Sequence, residues 1–164
     1  MINLAVILSN QTKKEVSVSI HENRTVNCPK CQHEQNITIW SSINAALNPD
    51  GRNKLFEGAI NHFKCDKCQY ESLIPVPLLY HDPDRKIAVH YFPPESMKKT
   101  EFLNQFDIYG KFIVANEVDF DVPEHLMDVH IVFNMNELVN YIIFREMLLE
   151  FHQQKQSKTD PGLN

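Results

Sequence analysis

Two short turns constrain this chain more than any other feature: Cys28-Pro29-Lys30-Cys31 and Cys65-Asp66-Lys67-Cys68. Each places two cysteines three apart and follows them with a glutamine, Gln32 or Gln69. Together they use all four cysteines of the 164-residue chain. A CxxC turn can aim both sulfurs at one centre while nearby backbone N–H groups donate to the thiolates. Two such turns supply four soft ligands, the set that tetrahedral Zn²⁺ takes at a Zn–S distance of about 2.3 Å. The pattern predicts one structural Zn²⁺ held by Cys28, Cys31, Cys65 and Cys68. Spacing alone does not separate zinc from a tetrathiolate iron or iron–sulfur centre. Thioredoxin-like redox chemistry asks for a single CxxC opening a helix in a βαβ unit, whereas both turns here are bracketed by strand-like sequence. Four thiolates leave no open position for water, so the metal is expected to stabilise the fold without catalysing anything. His33 and His62 flank the pairs and are read as supporting or surface groups.

Reading paired CxxC turns as a metal site and not as disulfides requires a reducing compartment. The apolar run at residues 2–8 is preceded by no basic residue, is too short for a secretory signal and is far too short to cross a bilayer. The expectation is therefore a soluble cytoplasmic protein with no membrane partner. A hydrophobic content of 43% suits a packed core. The net charge of −5 is uneven: residues 1–92 carry ten basic and nine acidic side chains, and residues 93–164 carry six and twelve. Neither part has the basic footprint of a phosphate-gripping protein.

Alternation predicts strands at residues 16–20 and 36–40. Ser41-Ser42 is read as the cap of a short helix over 43–47, closed by the turn Asn48-Pro49-Asp50-Gly51, with more helix over 52–60. Residues 70–80 read as a strand, and Pro75 and Pro77 place it at a sheet edge. A turn at 81–85 and a strand at 87–92 complete a hairpin, and Pro93-Pro94 marks a subdomain boundary. Beyond it the pattern gives a helix at 96–106, strands at 111–115 and 129–133, and a long helix at 136–152. That helix has Asn134 and Glu137 at capping-box spacing and an apolar stripe of Leu138, Tyr141, Ile142, the Arg145 stem, Leu148 and Leu149. The expected organisation is a zinc-ribbon-like domain at 1–93, an acidic C-terminal segment at 94–154 that packs its long helix on that domain, and a flexible tail at 155–164. The fold class is α+β: an antiparallel zinc-ribbon-like sheet with a helical insertion between the two CxxC turns, plus a C-terminal α/β extension.

The segments "CPKC", "NITIWSSIN", "LFEGAINHFKCDKC", "PLLYHDPDRKIAVHYFP" and "VFNMNELVNYIIF" together resemble the bacterial CpXC domain family, named for its cysteine pairs. The resemblance covers roughly residues 16–150 and is most specific over 65–93. The second pair departs from it by having Asp66 where the first has Pro29, a substitution that still suits a knuckle turn. The resemblance implies a zinc-ribbon-like fold and brings no catalytic residues with it.

Three function classes remain to be weighed. A protein-interaction or regulatory module, binding a partner or its own copy, follows from more apolar residues in the 78–92 hairpin than one sheet face needs. Tyr80, Tyr91 and Phe92 are the candidate surface. Nucleic-acid binding would use Arg24, Lys30, Arg52, Lys54, Lys64 and Lys67 with Trp40 or Tyr70 as stacking platforms, and the near-neutral charge disfavours it. An enzyme would have to use His81 and Asp82, or His90, with Glu117 and Asp119. The sequence offers no phosphate loop, HExxH or nucleophile elbow, and Ser41-Ser42 reads only as a cap. The expectation is a non-catalytic protein.

Overall fold

A computed structural model describes residues 19–113 and 124–159. The chain is α+β, built on a five-stranded mixed sheet of order β1-β2-β5-β6-β7, with a separate two-stranded sheet of β3 and β4. The strands are β1 (Ile20–Asn27), β2 (Glu34–Asn44), β3 (His62–Lys64), β4 (Glu71–Leu73), β5 (Leu78–Asp82), β6 (Ile87–Tyr91) and β7 (His130–Val132). The helices are α1 (Pro49–Phe56), α2 (Thr100–Leu103), α3 (Glu124–Met127) and α4 (Met135–Thr159), with a 3₁₀ turn at Pro94–Lys98.

β2 changes partner along its length. Residues from Glu34 to Trp40 pair antiparallel with β1, and a bulge falls where Ser42, not Ser41, meets Ile20. From Ser42 to Asn44 the same strand runs parallel to β5. Ser41 and Ser42 therefore lie inside a strand, and the helix expected over 43–47 does not form. Ile43 is fully buried beside Tyr80, and that burial outweighs the capping preference of the two serines. The strand ends at Asn44, whose Oδ1 accepts from the backbone N–H groups of Ala46 and Leu47. The next four residues start a helix where the sequence suggested the end of one. Asn48 Oδ1 accepts from Gly51 N at 2.7 Å, and Pro49 occupies the first turn, where its missing N–H costs nothing. Gly51 suits the close packing there, because a Cβ would lie 3.1 Å from Trp40 Cζ3 and the indole would have to shift by a few tenths of an ångström.

The segment expected as one edge strand over 70–80 is two strands in two sheets. Pro75 and Pro77 fall in the connector between β4 and β5, so neither removes a ladder donor, and β5 runs through the middle of the sheet. All five residues of β5 and all five of β6 are buried. Such runs belong to strands covered on both faces. On one face Leu78, Tyr80, Ile87, Val89 and Tyr91 pack with Trp40, Ile43, Leu55, Leu138 and Ile142. On the other, Leu79 and Ala88 pack under Leu126, Val129 and Phe112. Each fully buried aliphatic or aromatic side chain contributes about 1.5–3 kcal/mol.

The C-terminal segment joins the same sheet. β7 pairs parallel with β6, and α4 packs on β6 and β7. Asn134 Oδ1 accepts from Asn136 N at 2.7 Å to open α4, which continues through Lys155 to Thr159. The helix expected over 96–106 is shorter and broken into the 3₁₀ turn and α2. Of the strand expected at 111–115, the described part contributes a single bridge between Phe112 and Phe106. The strand expected at 16–20 lies outside the described residues up to position 18.

One buried side chain ties the α1–β3 connection to the sheet. Asn61 Oδ1 accepts from Trp40 N and Asn61 Nδ2 donates to Trp40 O, both at 2.8 Å. Asn61 adopts φ 52°, a left-handed conformation that asparagine tolerates better than most residues. Asn61→Ala should lower stability in urea denaturation by about 3 kcal/mol, from two lost buried hydrogen bonds and backbone strain. Asn61→Gly should recover about 1 kcal/mol of that by removing the strain alone.

Candidate metal centre

Each CxxC sits at the turn of a hairpin, and the two turns share one local geometry. In the first, Cys28 N donates to His33 O at 2.8 Å and Gln32 N to Cys28 O at 2.9 Å. In the second, Cys65 N donates to Tyr70 O at 2.8 Å and Gln69 N to Cys65 O at 2.9 Å. Gln32 and Gln69 both adopt φ 57°, which turns the chain back towards its hairpin partner. The shared glutamine after each pair thus marks the same backbone position.

The hairpins bring the four sulfurs together. All four Sγ atoms lie within 4.8 Å of one another, and among the described residues no other cluster of three or more ligating side chains could hold a metal ion. Cys28 and Cys68 are 3.6 Å apart, as are Cys31 and Cys65. No disulfide joins them. A small apolar cluster of Val26, Ile37, Phe63, Tyr70 and Ile74 surrounds the sulfurs. Gln35 locks the two turns to each other: its Nε2 donates to Lys64 O at 2.9 Å and its Oε1 accepts from Asp66 N at 3.0 Å. Nothing in the cysteine spacing pointed to Gln35. Its position at the start of β2, opposite Val26, is what brings it across to the second turn.

Electrostatics within the cluster favour a bound cation. Burial works against ionising Cys28, yet the backbone N–H groups of Cys31 and Lys30 bring its thiol down to about 7. Cys65 is lowered in the same way, against burial, by the N–H groups of Cys68 and Lys67. Cys31 is pushed up to about 12 despite a hydrogen bond from His33, because burial and the neighbouring sulfurs oppose a further negative charge. Backbone donors favour the thiolate at the first cysteine of each turn, and a divalent cation would relieve the repulsion that raises Cys31. The arrangement can hold a metal ion through four cysteines.

The model of the CpXC protein family matches residues 26–150, from just before Cys28 to well into α4. The chain belongs to the CpXC family. No curated protein and no solved structure matches it.

The other side chains singled out in this CpXC protein do not converge on the cysteines. His33 is half-buried and His62 exposed, and neither is part of the cluster. Tyr80, Tyr91 and Phe92, the expected interaction surface, are exposed by only 0, 4 and 3%. They fill the core because β5 and β6 are covered on both faces. Of the expected nucleic-acid contacts, Arg24, Arg52, Lys54 and Lys64 pair with Glu22, Glu146, Asp50 and Glu71. Trp40 is buried and cannot serve as a stacking platform. His81 and Asp82 are strand residues inside the sheet, and Asp82 accepts from Arg85 at 2.8 Å. Glu117 and Asp119 lie outside the described residues.

His81 and His90 lie on the sheet face opposite α4, with both nitrogens of each ring buried and without partners. His81 stacks on His125 at 6.0 Å, and His90 sits 4.0 Å from the Phe92 ring. Burial, reinforced by His125 and opposed by Asp82, lowers His81 to about 4, and burial alone lowers His90 to about 3. Both are folded as neutral imidazoles. Between roughly pH 6.5 and pH 4 the unfolded chain takes up protons that the folded chain refuses, so stability is full above that window and falls on acidification through it. Thermal melts should show a declining midpoint across this range, with a shallower decline in His90→Phe. A slope unchanged by that substitution would assign the acid sensitivity elsewhere.

Metal removal gives the second expected outcome at this site. Cys28→Ser or Cys65→Ser should abolish stoichiometric metal and loosen both hairpins, seen as lost amide protection over residues 22–73. A chelator that strips the metal yet leaves far-UV dichroism, melting and amide protection intact would show that the four cysteines do not stabilise the fold.

Proposed function

We propose that this CpXC protein is a non-catalytic, zinc-stabilised cytoplasmic module that works by binding another protein or a copy of itself. The Zn²⁺ assignment is supported by the sulfur spacing. A regular tetrahedron with 3.6 Å edges has a centre-to-vertex distance of about 2.2 Å, close to the ~2.3 Å of a Zn–S bond. Two knuckle hairpins meeting at that centre form a zinc-ribbon-like unit, the small sheet β3–β4 docked against the β1–β2 turn. Four thiolates complete the coordination shell, which suits an ion that holds the fold together. A reducing compartment fits four free thiols, and no helix among the described residues is long and apolar enough to cross a membrane.

The observation that carries the interaction reading is the outer side of α4. Phe144, Met147 and Phe151 are 54, 63 and 51% exposed, and Ile143 and Leu148 flank them. An apolar strip of this kind is costly to leave in water, which supports reading it as an interaction surface. Nucleic-acid binding is the weaker reading, because four of its six proposed cations already face carboxylates. Catalysis through His81 or His90 is weaker still, since both rings lie sealed inside the sheet.

The test is recovery of the tagged full-length protein at native abundance after mild cross-linking, beside a Phe144→Glu/Met147→Glu variant. A stoichiometric complex, with another protein or with itself, that disappears in the variant supports the proposal. A chain that runs as a lone monomer in both forms would sink it. Elemental analysis of the same material should find about one zinc per chain, and stoichiometric iron would overturn the metal assignment.

A further inference from the structure

α4 is 25 residues long and has two apolar faces. One carries Leu138 and Ile142, both fully buried in the main core, together with Leu149. At 3.6 residues per turn, Phe144, Met147 and Phe151 fall on a line roughly opposite that face. The core therefore accounts for one face only. The second continues towards the C-terminal end, where residues 150–157 are exposed throughout.

The order of residues along the outer line decides what fits it. From the N-terminal end the line reads Glu137, Asn140, Phe144, Met147, Phe151, Gln154 and Lys155. It is acidic at its start, apolar in the middle and basic at its end. Reversed, it presents the opposite charge at each end and the same apolar middle. We propose that the outer face of α4 pairs antiparallel with the same face of a second copy about a two-fold axis near Met147 and Leu148. This rests on the interaction reading above and names the partner.

In that register Phe144 of each helix meets Phe151 of the other, and Met147 meets Leu148. Lys155 comes alongside Asn140 and within one turn of Glu137. The pairing is isologous, as two-fold contacts are. Antiparallel helices also set the positive end of one macrodipole beside the negative end of the other. A parallel pair would place Glu137 against Glu137 and Lys155 against Lys155, which charge repulsion disfavours. Lys155 already lies 4.6 Å from the Phe151 ring, so it covers the end of the strip without blocking Phe144 or Met147. A single helix pair is smaller than a standard interface of about 800 Å² per partner, so association in the micromolar range is expected.

The experiment is sedimentation equilibrium of the metal-loaded full-length chain over a wide concentration range. A reversible monomer–dimer equilibrium is expected, and Phe144→Glu/Met147→Glu should abolish it while leaving far-UV dichroism and metal content unchanged. Glu137→Lys and Lys155→Glu should each weaken the dimer by about 3- to 10-fold, and combining the two should restore it, since the charges then match again in reverse. Additive weakening in the double exchange would overturn the antiparallel register. A chain that stays monomeric at all concentrations would overturn the homodimer. If such a monomer still captures a different protein through Phe144 and Met147, the interaction reading survives its loss. If it captures none, both fail together.

Discussion

Four sulfurs that must share one centre set the geometry on which the rest of the chain is arranged. Cys28 and Cys31 lie at the tip of the β1–β2 hairpin, and Cys65 and Cys68 at the tip of β3–β4. Bringing the tips together fixes where the intervening segment starts and ends, so α1 and the Asn61 loop have to fold back over the sheet. The short β3–β4 ladder buries little apolar surface, with Phe63 its one buried residue. Hairpins of that size are marginal in water. The packed four-cysteine cluster and the two Gln35 hydrogen bonds supply what the ladder lacks.

Polar contacts tie the segment between the two cysteine pairs to the sheet and to α4. Asn61 holds Trp40 from one side. On the other, Arg52 of α1 donates from one nitrogen to both oxygens of Glu146 on α4, at 2.8 and 2.9 Å, while stacking 4.5 Å from the Phe56 ring. This pair is partly shielded from water, so its loss is worth more than that of an exposed surface pair. It links the insertion between the cysteine pairs to the C-terminal helix, two parts of the chain far apart in sequence.

Local chemistry was legible in the residues, and context was not. Two CxxC turns, an alternating 36–40 segment and the 138–149 stripe each carry their own instructions; the turns and the strand took the expected form, and the stripe did so at Leu138, Tyr141, Ile142 and Leu149 while Leu148 faces outward. Ser41-Ser42 and Asn48-Pro49-Asp50-Gly51 were misread because capping and turn preferences are worth about 1 kcal/mol. Burying Ile43 and Trp40 is worth more, and it sets both boundaries. Pro75 and Pro77 pointed to an edge, but the ladder begins one residue after Pro77, so β5 could sit in the centre. Tyr80, Tyr91 and Phe92 looked like surplus apolar surface because the pattern shows how many apolar residues the hairpin carries and not how much of it the C-terminal segment covers. The outer strip of α4 was overlooked for a similar reason: Phe144, Met147 and Phe151 fall between the positions of the inner stripe, and attention to one period hides a second.

β7 contributes three residues and pairs in parallel with β6, which precedes it by about forty positions. Parallel pairing across such a distance cannot nucleate as a hairpin does; the loop must close first. During synthesis, β5 and β6 emerge and pair while the other edge of β6 still has its backbone groups open and the bed for Leu138 and Ile142 is uncovered. An open edge beside a bare apolar surface invites pairing with another nascent chain. Arrival of β7 closes the edge, and the helix that follows covers the bed. For the ribosome, then, residues 130–159 act as a stopper, and any pause before residue 130 leaves the sheet in its most adhesive state.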